Sequence, residues 1–405
     1  MNKTIQKQSR APLLPGALIP GALINGQPAT LGVMGGGQLA RMFVHAAQAM
    51  GYQTAVLDPD ADSPAGGVSH HHVQADYLSK TGLAELAQCS DAVTTEFENV
   101  PAAALEALAA LRPVSPAAAA VRIAQDRGAE KAHFERCGVA CAPYAVIETA
   151  AQLQAVPASL LPGILKTLRM GYDGKGQVRV KNRAELDAAW ALLKRVPCVL
   201  EQKLALHAEC SVVAARGRDG QIVNLPVQLN THSDGILAKT EVFKQNLPLA
   251  LVNHAILATQ SIANELSYVG VLCVEFFIVK SAQGRLQLIV NEIAPRPHNS
   301  GHHSMNSCDV SQFELQVRTL AGLPLPQPRQ HSPAIMLNLL GDLWKGGVAP
   351  PWAKVLALPG THLHLYGKTE ARPGRKMGHL NITGKTITEV RACATQAAKL
   401  LGIKL

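Results

Sequence analysis

The sequence predicts a multidomain protein of α/β and α+β class: an N-terminal doubly wound parallel α/β domain, a small α+β unit and a larger C-terminal region. Three observations carry this. The 405 residues exceed what one compact core holds and divide into roughly two to four domains. In "ATLGVMGGGQLARMFVHAAQAMGYQTAVLDPD" an apolar strand runs into Gly35, Gly36 and Gly37. A helix with Leu39, Met42, Phe43 and Ala46 on one side follows, then a second strand ending at Asp58, which makes a βαβ unit. Further on, apolar runs flank the glycine-rich "LRMGYDGKGQVRV" at 168–180 and "AQGR" at 282–285, the pattern of antiparallel hairpins.

Residues 1–30 have an early basic part and an apolar middle, which mimics an export signal. Pro12, Pro15 and Pro20 with Gly16 and Gly21 interrupt the apolar part, and the segment is expected to be an unstructured extension. Residues 31 to about 125 form the first domain. Within it "DAVTTEFENVP" is a strand ending in Glu96 and Glu98, and Pro101 opens an Ala-rich helix. Ligands of such sheets lie at the C-terminal ends of the strands. "RIAQDRGAEKAHFERCGVACAPY" is expected as a helix leaving this domain. Residues 142–205 form the small unit: strand "GILKTL", the glycine hairpin, helix "NRAELDAAWALLKRV" and strand "CVLEQKL". More strands and long helices follow to about residue 320, and a Pro-rich link, "GLPLPQPRQHSP", leads to a basic α/β segment that ends the chain.

Composition narrows the function. Aromatic residues make up only 4%, too few for stacking single-stranded bases, and no charge run resembles a nucleic-acid arm. The net charge of +9 allows a nucleic-acid partner, but small polyanions such as nucleotides equally explain it. The eight cysteines have no CxxC pair or framework spacing, as expected of reduced thiols in a cytoplasm. "HHH" at 70–72 has no partners at metal-ligand spacing and is expected in a solvated loop. No uninterrupted apolar run reaches the roughly 18 residues of a membrane span.

The stretch "YVGVLCVEFFIVKSAQGRLQLIVNEIAPRPHNSGHH" carries the most chemistry. With Gln283 and Gly284 as central turn residues, paired positions sum to 567, and Glu275 falls opposite Glu292. Opposed residues share a face, so two carboxylates meet within an apolar hairpin. An oxygen-rich site with few protein ligands suits Mg²⁺ shared with phosphates; the alternative is that one glutamate pairs with a lysine or arginine. Arg296, His298 and Asn299 follow directly, and a guanidinium there suits bidentate capture of a planar anion such as bicarbonate.

Taken together, "MGGGQLARM", "TTEFENVP", "KTLRMGYDGKGQ", "EQKL", "NEIAPRPHNSGHHS" and "RPGRKMGHLN" resemble the 5-(carboxyamino)imidazole ribonucleotide synthetase family of ATP-grasp enzymes in purine biosynthesis, in register from about residue 31 onward. The resemblance implies an ATP-grasp fold with a small mobile lid at about 142–205, and ATP gripped between lid and C-terminal domain. That domain would span 126–320 and be completed by 321–405. It implies that ATP, bicarbonate and 5-aminoimidazole ribonucleotide give ADP, phosphate and the N-carboxylated ribonucleotide, in a cytoplasmic homodimer with Mg²⁺. It also implies roles. Arg127 and Lys166 face the ATP phosphates, and Gly171, Tyr172, Asp173, Gly174, Lys175, Gly176 and Gln177 fold over them. Glu201, Gln202, Lys203 and Leu204 read adenine, largely through the backbone. Glu209 takes the ribose, His232 faces the phosphates, and Asn291 stands beside the metal ligands Glu275 and Glu292. For the ribonucleotide, Gly36, Gly37, Gln38 and Leu39 offer a helix N-terminus to its phosphate, and Glu96 accepts from its ribose or amine. Lys368, Arg372, Arg375, Lys376 and His379 surround it from one Pro-Gly turn. Relatives using formate, or biotin carboxylases, would share the ATP grip, and the first βαβ unit alone would fit a dehydrogenase. The GGGQLA loop lacks the G-x-G-x-x-G spacing of the last.

Overall fold

Strand Thr30–Met34 is apolar at nearly every position because both of its faces are covered, as the central strand of a parallel sheet requires. It lies between the parallel strands Gln53–Leu57 and Ala92–Thr95, with His71–Val73 at the edge. This computed structural model describes residues 13–171, 176–281 and 283–404. Tyr172, Asp173, Gly174 and Lys175, expected over the phosphates, therefore lie outside the described residues.

Two sequence expectations for the first domain need correction. Residues 13–30 are not an unstructured extension: Leu23–Ile24 and Gln27–Pro28 pair as a hairpin around Asn25 and Gly26, both at positive φ (52° and 84°). Asn-Gly is a strong signal for such a tight turn, and the neighbouring prolines obscured it. Leu18 and Ile24 pack on the first helix's core, and the Leu18 N–H donates to the Ala321 carbonyl at 2.8 Å. The histidines at 70–72 are likewise not a free loop. His71–Val73 is the edge strand, and His70 Nδ1 accepts the Thr54 N–H at 3.2 Å.

Helix Gln38–Ala49 buries Leu39, Met42, Phe43 and Ala47 against Phe313, Val317 and Leu320 of helix Gln312–Ala321. That shared core seats the first domain on the rest of the chain. The lid unit is an antiparallel sheet in the order 144–147, 198–202, 163–167, 177–180. Leu153, Leu186 and Trp190 from its helices pack against Ile147, Leu165 and Leu200.

The remaining strands form a nine-stranded sheet. Helix Leu249–Glu265 covers one face of it, on Val212, Val274, Phe276 and Ile278. Past the Pro-rich link, Ala334–Leu340 pairs with Ile236–Val242, and Lys376–Thr383 pairs with Ala334–Leu340, so the last segment extends this sheet.

The carboxylate hairpin reaches the expected register by an unexpected route. Beside the turn, Lys280 opposes Leu286 and Phe276 opposes Val290, a register one residue short of that expected. An irregularity between Glu275 and Phe276, with Asn291 as the extra residue, then brings Glu275 opposite Glu292.

Candidate active site

The alternation that buries Val274 and Phe276 turns Glu275 to the opposite face of its strand. Both opposed carboxylates meet a cation. Glu275 Oε1 lies 2.8 Å from His298 Nε2, and Glu292 Oε2 lies 3.2 Å from Arg127 Nη1. Burial alone would favour neutral forms of Glu275 and His298. At Glu275 the His298 charge outweighs it and holds the carboxyl well below its usual range, while at His298 the neighbouring Cys273 and Glu275 together outweigh it and hold the imidazole well above a free one. Hard oxygen donors on one face, at positions that already attract positive charge, are the donor set that Mg²⁺ prefers.

Helix Arg127–Arg136 starts at the Asp126 N-cap and serves this pair. Arg127 reaches Glu292, and one turn on Glu130 Oε1 accepts the Ile293 N–H at 2.6 Å. Burial, aided by the charge of Glu292, pushes Glu130 up to about 8. Glu130 was absent from the sequence reading, since an acidic residue in a first helical turn looks like ordinary dipole compensation.

In the lid, Lys166 Nζ lies 2.7 Å from Glu201 Oε2, and Lys131 Nζ lies 3.0 Å from Glu201 Oε1. The Glu201 side chain is thus a buried ionic partner, and the adenine contact expected of this residue falls to its backbone. The Gln202 and Lys203 N–H groups donate to the Pro143 and Pro162 carbonyls at 2.9 Å each, and Glu201 lies within the lid sheet opposite Tyr144 and Ile164, with Leu204 next in the chain after these three. Gln177 opposes Lys166 in the lid sheet, and the Gly176 carbonyl accepts the Thr167 N–H at 2.9 Å, with Gly171 at the near side of the same loop. On the large sheet His232 Nδ1 lies 3.0 Å from Glu209 Oε2. Burial would lower His232, but the Glu209 carboxylate raises it.

Beyond the hairpin, Arg296 donates through Nε to Glu98 and through Nη1 to the Pro297 carbonyl at 3.0 Å. Burial alone would raise Glu98, but the Arg296 charge outweighs it and brings Glu98 down to about 2. Next to it Asn299 is 8% exposed, and neither polar atom of its amide has a hydrogen-bond partner among the described residues. A buried amide left so is a demand for a ligand that both donates and accepts, as bicarbonate does.

The first domain's loop departs from expectation. Glu96 accepts the N–H groups of Gly37 (2.9 Å), Leu39 (3.2 Å) and Ala40 (3.1 Å), and Asp58 accepts that of Gly36 at 2.6 Å. The helix N-terminus expected to hold a phosphate is therefore filled by the protein's own carboxylates. The loop after strand Ala92–Thr95 delivers Glu96 there for the dipole reason that would have drawn a phosphate. Leu39 is core and Gln38 half-buried. Three accepted bonds leave Glu96 about one of the four acceptor positions of a carboxylate for a ligand.

The basic turn faces this loop. Lys368 donates to the Lys376 carbonyl at 2.8 Å, and Arg375 Nη1 to the Glu370 carbonyl at 2.7 Å. Burial first, then the charges of Arg375, Lys376 and Arg372, lower Lys368 to about 8, while Glu96 opposes them. Arg372 is exposed and pairs with Glu370 at 3.1 Å. His379 does not join the turn. It is fully buried in strand Lys376–Thr383, stacked on His364 with centroids 4.5 Å apart and an interplanar angle of 13°. The strand alternation carries it there.

With this geometry established, comparison with known proteins is decisive. Residues 28–125 match the ribonucleotide synthetase preATP-grasp domain, 132–313 the ATP-grasp domain, and 334–393 the phosphoribosylaminoimidazole carboxylase C-terminal domain. The chain is 42% identical over 355 residues to the N5-carboxyaminoimidazole ribonucleotide synthase of Brucella melitensis, covering 87% of this chain and 95% of that protein. The chain belongs to the N5-carboxyaminoimidazole ribonucleotide synthase family. It is an ATP-grasp ligase that forms a C–N bond. The Bacillus subtilis synthase is 38% identical, covering 87% of this chain and 90% of the other. An ADP complex of a family synthetase superposes with a TM-score of 0.86 at 36% identity, covering 95% and 98% of the two chains. An Aspergillus clavatus enzyme in complex with ADP and 5-aminoimidazole ribonucleotide does so with 0.83 at 30% identity, covering 92% and 98%.

Proposed function

We propose that the protein carboxylates 5-aminoimidazole ribonucleotide with bicarbonate at the expense of ATP, giving the N5-carboxylated ribonucleotide, ADP and phosphate. One observation carries the reading for this chain: the opposed Glu275 and Glu292 lead directly into Arg296, His298 and the unpartnered amide of Asn299. A phosphoryl-accepting anion held at Arg296 and Asn299 lies next in sequence to the residues that would hold Mg²⁺, Glu275 and Glu292. The ion, when bound, supplies charge neutralisation for the phosphates.

Bicarbonate is a poor electrophile until a phosphoryl group activates it. The protein's part is positioning and exclusion of water. Lys166 and Arg127 receive the ATP phosphates, the loop from Gly171 to Gln177 covers them, and Glu209 with His232 faces ribose and phosphate. Leu204 supplies the adenine contact. Glu98 fixes the Arg296 guanidinium by its Nε edge, and His298 is held by Glu275. Lys368, Arg375 and Lys376 hold the ribonucleotide phosphate, in place of the N-terminal loop. The working form is a homodimer in the cytoplasm, with neither nucleic acid nor membrane as partner; sedimentation of the purified chain reports the dimer. Among the described residues no helix is long and apolar enough to cross a membrane.

The reading is tested by ADP release, with labelled bicarbonate followed into product. Release is expected to need both the ribonucleotide and bicarbonate, and label to appear in an acid-labile product. Formate replacing bicarbonate, or ADP release indifferent to the acceptor, would overturn it.

A pH profile tests the acceptor site. Lys368 carries its charge below about 8 and loses it above. The kcat/KM for the ribonucleotide reports the free enzyme and should fall as pH rises through that value. In Lys368→Met the value should be lower and the fall absent. A wild-type profile flat from about pH 7 to about pH 9 removes Lys368 from the site.

A further inference from the structure

Lys131 is 1% exposed, and the reading above gives it no part in holding nucleotide, bicarbonate or ribonucleotide. Its Nζ lies 3.0 Å from Glu201 Oε1, while the other oxygen of that carboxylate takes Lys166 at 2.7 Å. The ammonium also sits 5.5 Å from the centroid of the Tyr144 ring, which helps fix it. Two lysines thus share one carboxylate at a place where the three side chains are 2%, 11% and 5% exposed. Burying ions costs more than pairing returns unless the geometry is excellent, so such a cluster is a poor stabiliser. Its excess of one positive charge is an unmet demand for an anion.

The helix that carries Lys131 is also the joint between body and lid. The Arg127 N–H donates to the Leu168 carbonyl at 3.0 Å, and Asp126 pairs with Arg169 at 3.0 Å, both at the end of the lid strand that bears Lys166. The same helix touches the metal strand through Arg127 and Glu130.

We propose that Lys131 is a positioning residue of the nucleotide site: by holding one oxygen of Glu201 it prevents that carboxylate from neutralising Lys166, whose charge stays available to a nucleotide phosphate. This rests on reading Lys166 as a phosphate contact. A carboxylate with Lys166 as its sole partner would form a closed neutral pair, which a phosphate would have to break. A second lysine on the other oxygen weakens that pair and retains Glu201 when Lys166 turns to the nucleotide.

Lys131→Met keeps the length and volume of the buried chain and removes the charge. Calorimetry with ADP and with adenosine separates the proposal from mere support of the lid strand. ADP should bind about tenfold or more weakly, the scale of one charge-assisted hydrogen bond, with adenosine unchanged within about twofold. Lys131→Arg should keep ADP affinity. The double variant Lys131→Met/Glu201→Gln should regain it, because the competing carboxylate is gone. Undiminished ADP binding in Lys131→Met, or adenosine weakened by the same factor, overturns the proposal. Should Lys131→Met not fold, Glu201→Gln decides: ADP binding at least as tight as in the parent supports it, and weaker binding with unchanged adenosine overturns it. Lys166→Met reports the underlying reading separately. If it leaves the ADP-to-adenosine ratio intact, Lys166 is no phosphate contact and the proposal falls with it.

Discussion

Glu292→Gln is expected to lower turnover by about a hundredfold or more, because a ligand contribution of several kcal/mol to phosphoryl transfer converts to that factor. The substitution keeps the shape of the side chain and removes the charge. A neutral amide is a weak ligand for a hard divalent cation, so the Mg²⁺ requirement should rise along with the loss of rate. Glu292 is the cleaner of the two proposed ligands to test. Its side chain is 41% exposed, and its partner Arg127 keeps Glu130 and Glu201 nearby when the carboxylate goes. Glu275→Gln should be at least as damaging, but it also strips His298 of the carboxylate that holds it. Rates as a function of Mg²⁺ and calorimetry of ADP with and without Mg²⁺ check the assignment. Near-normal turnover at low Mg²⁺, in a variant that unfolds at the parent's temperature, would remove Glu292 from the metal site.

What the sequence made legible was the part of the site built from local pattern. The strand period and the turn placed Glu275 against Glu292, although the true turn is offset by one residue and Asn291 compensates. The pairing was recoverable because a buried hairpin tolerates only registers that keep its apolar face inward. Partners brought together from distant segments left no such trace. Glu98 and Arg296 are separated by 198 positions, and nothing in either neighbourhood names the other. Lys131 reads as one more solvated cation on a charged helix, and its burial follows only from docking the lid against that helix. The N-terminal loop shows the opposite failure. Gly36, Gly37 and Leu39 do form an anion-binding helix start, but the first domain satisfies it internally with Glu96 and Asp58. Local chemistry was read correctly there and the wrong anion assigned, since a carboxylate some sixty residues away cannot be weighed by periodicity.

Arg296→Ala should separate the two anion sites. Losing charge-assisted hydrogen bonds to bicarbonate or its phosphorylated form costs about 1.5–3 kcal/mol, roughly ten- to a hundredfold in rate or binding. The bicarbonate requirement should rise and kcat fall, with the KM for the ribonucleotide little changed. Arg375→Ala or Lys376→Ala should instead raise the ribonucleotide KM, because a phosphate remote from bond making contributes mostly uniform binding. The structure adds a second, independent signature to the Arg296 variant. Glu98 is held at about 2 in the folded protein against its ordinary 4.5, chiefly by Arg296 against the opposing effect of burial. A carboxylate so depressed contributes stability that is present above its unfolded value and disappears as pH falls toward its folded one. Arg296→Ala removes that contribution and leaves Glu98 with its charge partly buried, so the loss of stability should be largest at neutral pH. It should shrink as the pH is lowered through about 4.5 toward about 2, where the parent loses the same contribution. Adding Glu98→Gln to Arg296→Ala should recover stability at neutral pH without restoring the bicarbonate dependence. Thermal unfolding across pH and initial rates with each substrate varied in turn read both signatures. If Arg296→Ala altered the ribonucleotide KM alone, the bicarbonate site would lie elsewhere and Glu98 would be a structural partner only.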